Sequence, residues 1–80
     1  MTIPSIEQQR TRAQRAADTF NRQHPAGTAV RYWPGLRSAE GRLSTIRGRA
    51  WGLPSGDAVV RVAGHSGGIA LTHIEVVEAI

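Results

Sequence analysis

The sequence predicts an α+β fold, one N-terminal helix packed on a small, strongly bent antiparallel barrel of five short strands, and three observations lead there. Apolar residues recur at helical spacing before His24 and in short alternating runs after Thr28. Glycine and proline punctuate the second part at close intervals, at Pro34-Gly35, at Gly48, at Pro54-Ser55-Gly56-Asp57 and from Gly64 to Gly68. The chain has 80 residues, which suits a single domain spanning 1–80 with one small core, because a chain of this size buries only about 60 to 65% of the surface it exposes when unfolded.

The helix is expected over 5–23. Ser5 followed by Gln8 fits a capping box, in which each side chain satisfies a backbone N–H left free at the helix start. Ile6, Ala13, Ala16, Ala17 and Phe20 form a narrow stripe made mostly of alanine, and Arg10, Arg12, Arg15 and Arg22 occupy the other faces. Asp18 and Arg22 stand at the i, i+4 spacing of a supporting ion pair. His24-Pro25-Ala26-Gly27 ends the helix, since the residue before proline is pushed out of the helical region. The stripe must be buried, either on the rest of the domain or on a second copy of the chain, and packing on the domain is the expectation.

The barrel is expected over 28–78. Thr28 to Trp33 alternates, with Val30 and Tyr32 on one face and Arg31 and Trp33 on the other. A loop from Leu36 to Gly41 leads to a long extended stretch from Arg42 to Leu53, in which Gly48 marks a bulge or bend. Ala58 to Ala63 is the third strand, Ile69 to Leu71 the fourth, and Ile74 to Val77 the last, with one tight turn around Thr72-His73 between the final two. The run Gly68-Ile69-Ala70-Leu71-Thr72-His73-Ile74-Glu75-Val76-Val77 is similar in rhythm to the close of SH3-like barrels, where a strand, one 3₁₀ turn and a short final strand follow directly. That similarity makes the expected barrel SH3-like.

Charge is the strongest functional signal. All ten cationic side chains are arginine, none is lysine, and the net charge is +4. Six of them lie between Arg31 and Arg61, interleaved with Tyr32, Trp33 and Trp51, while no arginine follows Ala63. Guanidinium groups grip phosphate and carboxylate in pairs of hydrogen bonds and stack on rings, so arginine beside exposed aromatics suits an anionic, planar partner. Arginines on strands also commonly form no more than a solvated face, and this composition equally fits a biased coding sequence. Strand alternation converts the pattern into geometry. If Ile46, Gly48 and Ala50 face inward, Arg47, Arg49 and Trp51 face outward together, and Arg31 and Trp33 do the same on the first strand. The opposing reading turns a tryptophan inward to fill so small a core, Trp51 more readily than Trp33, which stands at a strand end beside Pro34. The candidate ligand-binding residues are Arg31, Trp33, Arg42, Arg47, Arg49, Trp51 and His65.

Several chemistries are set aside. Gly64-His65-Ser66-Gly67-Gly68 matches the Gly-x-Ser-x-Gly nucleophile pattern, but strand-like residues follow it, no large sheet is available, and His73 precedes Glu75 against the required order. The loop is a flexible turn or, through its backbone N–H groups, a small anion nest beside the arginines. His24, His65 and His73 lack the short spacings that place two metal ligands on one element, and no cofactor-binding fingerprint occurs. His73 is expected to be structural, bonded to backbone. Without cysteine, neither disulfides nor a thiolate metal cage can brace the fold, so a homo-oligomer is expected. The N-terminal residues lack the charged start and apolar run of a signal peptide, and no apolar stretch approaches the ~20 residues of a membrane span, so a cytoplasmic protein is expected.

Val30-Arg31-Tyr32-Trp33-Pro34-Gly35, Gly41-Arg42, Arg47 to Trp51, Val60-x-Val62-x-Gly64 and Gly67-Gly68-Ile69-Ala70-Leu71-Thr72-His73-Ile74-Glu75, in that order, resemble a group of small, largely uncharacterised proteins of phages and prophage regions. The resemblance covers about two thirds of the chain and brings no catalytic residues. It implies work inside a host cell, by holding a host signal or blocking host machinery. The combined expectation is a non-enzymatic module that captures a nucleotide or nucleic acid in counter-defence, with an inhibitor or adaptor that blocks a host protein as the alternative.

Overall fold

A computed structural model describes the backbone of residues 6–77 and the side chains from residue 8 onward. The helix α1 runs Ile6–Gln23, so the expected cap at Ser5 and the side chain of Ile6 lie outside the described residues. Six strands follow: β1 Ala29–Tyr32, β2 Arg42–Thr45, β3 Trp51–Gly52, β4 Ala58–Val60, β5 Ile69–Ala70 and β6 Ile74–Val76. A 3₁₀ turn, Leu71–His73, joins β5 to β6 as the sequence predicts.

The strands form two antiparallel three-stranded sheets, β2-β1-β6 and β3-β4-β5, and do not close into the single five-stranded barrel expected from sequence. The difference arises between Arg42 and Leu53. This stretch is not one strand but two, because 47–50 leave the extended ladder. Ala50 donates its N–H to Asn21 Oδ1 at 2.7 Å and accepts from Asn21 Nδ2 at 3.0 Å, so a helix side chain takes the bonds a neighbouring strand would have taken. The two halves then join different sheets. An isolated antiparallel bridge, Ile46 to Val62, ties the sheets together, with Arg47 N–H donating to Arg61 O and Ala63 N–H to Thr45 O on either side of it.

Both sheets turn one face to a common core of Val30, Tyr32, Ile46, Ala50, Val60, Val62, Ile69 and Ile74. The alternation explains the choice: Val60 and Val62 are fully buried while Arg61 between them is exposed. Four of these side chains, Ile46, Val30, Val60 and Val62, are sealed from solvent, each contributing about 1.5–3 kcal/mol of transfer free energy. The helix covers the core from one side through Ala17, with Phe20 packed against its margin, and Ala13 is buried one turn earlier. Ala16, expected in the same stripe, is exposed. The helix approaches β3 so closely that a side-chain carbon on Gly52 would sit 2.6 Å from Gln14 N and 2.9 Å from Ala13 Cβ. Small residues on both sides of the contact permit this. The Asp18–Arg22 pair expected from spacing does not form: Asp18 accepts from Gln14 Nε2 at 2.9 Å and Arg22 donates to Thr19 Oγ1 at 3.3 Å. Such pairs are worth only about 0.2–0.5 kcal/mol on an exposed helix, so local alternatives compete readily. Among the described residues no helix is long and apolar enough to cross a membrane.

Candidate arginine and tryptophan cleft

The face of β3-β4-β5 turned away from the core carries the most concentrated set of candidate residues. Trp51 pairs with Val59 across the β3–β4 ladder, so both project to this face, and Arg61 follows two residues later on the same side. Arg47 reaches it through the backbone bond that links its N–H to Arg61 O at 2.9 Å. The result is an open cleft of about 380 Å³ lined by Arg47, Gly48, Arg49, Trp51 and Arg61. The expected parity holds here: Ile46 and Ala50 are buried, Arg47 and Arg49 exposed, and Trp51 half-buried.

The electrostatics of the cleft are one-sided. No carboxylate lines it, and among the described residues none of Arg47, Arg49 and Arg61 has an acidic partner. The Arg61 guanidinium lies 5.6 Å from the Trp51 ring centroid, within cation–π range. The indole lies along Gly68, which leaves room for it over the sheet. Three permanently charged forks around a partly exposed ring can bind an anion bidentately and stack a planar group.

The remaining candidates are placed elsewhere. Trp33 is 8% exposed, which corrects the expectation that it faces solvent beside Arg31. Strand alternation does turn it away from Val30 and Tyr32, but the loop 34–41 folds back over it. Its Nε1–H donates to Ala39 O at 2.8 Å, and the Arg37 guanidinium lies 4.6 Å from its ring centroid. Arg37 also donates to Thr72 O at 2.7 Å and pairs with Glu75 at 3.2 Å, fastening the loop to the 3₁₀ turn and to β6. Trp33 therefore has no free face for a ligand. Arg31 is half-buried on the sheet β2-β1-β6, opposite Leu43 and Glu75, and Arg42 is exposed at the start of β2 opposite Tyr32. Neither lines the cleft.

His65 packs its ring on Tyr32, with centroids 5.8 Å apart, and its N–H donates to Val62 O at 3.4 Å. These contacts put it at the β4–β5 turn and not among the cleft-lining residues. His73 Nδ1 lies 3.2 Å from Trp33 O and Trp33 N–H donates to His73 O at 3.0 Å, the structural role expected for it. Since a carbonyl only accepts, the His73 contact requires its Nδ1 to carry the proton. Among the described residues, no group of three or more His, Asp or Glu side chains is arranged to hold a metal ion.

Arg61 is the cleft residue missing from the sequence-derived set. The signal was present, because Val60 and Val62 flank it in an alternating strand and force it outward. What alternation cannot supply is its neighbour, since Arg47 and Arg61 meet only through the bridge between sheets. No protein family, curated protein or solved structure matches this chain.

Proposed function

We propose that the chain is a non-enzymatic binding module that captures an anionic, planar ligand, a nucleotide or a nucleic acid, in the cleft of Arg47, Arg49, Trp51 and Arg61. One observation carries this reading: three guanidinium groups without acidic partners among the described residues surround a half-buried indole. Like charges gathered at one place raise the potential there, and a phosphate relieves that repulsion while the ring or the Arg61 plane stacks a base. The order of strands, the 3₁₀ turn before the last one, and a stretch 42–53 shared between two sheets support an SH3-like arrangement as the scaffold. The resemblance to small phage and prophage proteins favours a counter-defence role inside a host cell, and the small cysteine-free core favours a homo-oligomer.

The test is titration of Trp51 fluorescence in a Trp33→Phe background with adenosine monophosphate and with a thymidine octanucleotide. Binding is expected to quench the signal. Arg47→Glu with Arg49→Glu is expected to weaken it by at least tenfold in a protein whose circular dichroism is unchanged, and equal binding by that variant sinks the proposal. Leu36 and Leu43, 79% and 69% exposed, favour a second reading as an inhibitor or adaptor that docks on a host protein. Salt separates the two, because phosphate binding weakens steeply with ionic strength and an apolar contact does not.

A further inference from the structure

We infer that the ligand is a single strand of nucleic acid several residues long, whose backbone continues from the cleft onto Arg10 and Arg15 of the helix; this rests on the reading of the cleft given above. Three depressions converge on residues 48–52. The cleft of about 380 Å³ holds Arg47, Arg49, Trp51 and Arg61. A second, of about 410 Å³, lies over the helix contact at Gly52 and is lined by Arg10, Thr11, Gln14, Arg15 and Asp18. A third, of about 180 Å³, shares Gly48 and Arg49 with the first and reaches Asn21 and His24. Trp51 and Gly52 are consecutive and alternate across β3, so the first two depressions lie on opposite sides of that edge strand and a ligand passes from one to the other around its edge, while Arg49 belongs to both the first and the third.

The charge along this surface has one sign apart from Asp18. Arg10, Arg15, Arg47, Arg49 and Arg61 line it, and Asp18 is already engaged by Gln14 Nε2 at 2.9 Å. A mononucleotide fills the cleft and leaves Arg10 and Arg15 unused. A strand uses both, since Arg10 and Arg15 are separated by about 7.5 Å along the helix axis, and a charged groove that follows the backbone beside a stacking ring is how single strands are held without sequence preference. A duplex is disfavoured by the same ring, because paired and stacked bases offer no open face to Trp51.

The experiment measures binding of thymidine monophosphate, a thymidine octanucleotide, a uridine octanucleotide and the thymidine octanucleotide annealed to its complement, at about 50 and 200 mM salt. The octanucleotides are expected to bind at least tenfold tighter than the monophosphate and the annealed form weaker than the free strand; the two octanucleotides decide between DNA and RNA as the source. Arg10→Glu with Arg15→Glu is expected to lower octanucleotide affinity by tenfold or more, to flatten the logarithmic salt slope by about 1.4, two contacts at about 0.7 each, and to leave the monophosphate unchanged. Monophosphate and octanucleotide binding equally well, or the annealed form binding best, overturns the inference while the cleft reading stands. Binding of neither overturns both. Both substitutions are at exposed helix positions, and retained helical circular dichroism excludes a folding defect.

Discussion

Trp33 donates its indole N–H to a loop carbonyl at 2.8 Å and is almost sealed, whereas Trp51 lies half-buried in an open cleft beside Arg61. The two residues are chemically identical, and the chain that follows each one decides its role. After Trp33 the loop 34–41 returns and is locked by Arg37, and after Trp51 the chain turns away at 54–57. Substituting Trp33→Ala removes a buried ring and leaves a void, an expected loss of about 3–5 kcal/mol. Domains of this size hold a total of about 4–12 kcal/mol, taking 0.05–0.15 kcal/mol per residue, so that variant is expected to lose a large share of its stability. Trp51→Ala is expected to shift the urea midpoint far less and to abolish ligand-induced changes. Urea titration by far-ultraviolet circular dichroism reads both, and a larger loss at Trp51 than at Trp33 contradicts the burial argument. The sequence showed both tryptophans on outward parities. It could not show that one outward face is roofed, because Ala39 and Arg37 reach Trp33 only through the loop's tertiary path.

At the scale of elements, the helix does more than cover the core. Its Asn21 amide accepts from and donates to Ala50, and Gln14 Oε1 accepts from Gly52 N–H at 3.3 Å, so two side chains occupy the free edge of β3. A two-residue edge strand with open N–H and C=O groups would otherwise invite pairing with another chain. Asn21→Leu keeps similar bulk but leaves the Ala50 groups unpaired, with an expected cost of about 1–3 kcal/mol. It is also expected to raise concentration-dependent aggregation, measured by light scattering during thermal unfolding; unchanged stability and scattering would show that the amide clamp is dispensable. The helix itself, its stop at His24-Pro25, the alternation of β1, the strand at β4 and the 3₁₀ turn were readable from local pattern. The break at 47–50 was only half readable. Gly48 marked a bend, but the clamp at Ala50 comes from a residue 29 positions away that no periodicity connects to it. The outward set Arg47, Arg49 and Trp51 was legible for the opposite reason: alternation is local, and Ile46 and Ala50 fix it from either side.

For the whole molecule, the decisive feature is that two sheets share one core and meet at one bridge. Ile46 is 2% exposed and pairs with Val62 at the junction, so its side chain fills space that both sheets line. A core this small cannot lose one sheet and retain the other, because each sheet alone would expose the apolar face the other covers. Unfolding is therefore expected to be one cooperative event, and the two tryptophans provide independent reporters of it. Trp33 follows the sheet β2-β1-β6 and its loop, and Trp51 follows β3-β4-β5. In Trp33→Phe and Trp51→Phe variants, the fluorescence transition of each should coincide with its own circular dichroism transition. Ile46→Ala, with an expected loss of about 2–5 kcal/mol, should move both transitions together. If that substitution displaces the Trp51 signal and leaves the Trp33 signal in place, the sheets are separable units, and the cleft, built on Arg47 from one side of the bridge and Arg61 from the other, would open whenever they part.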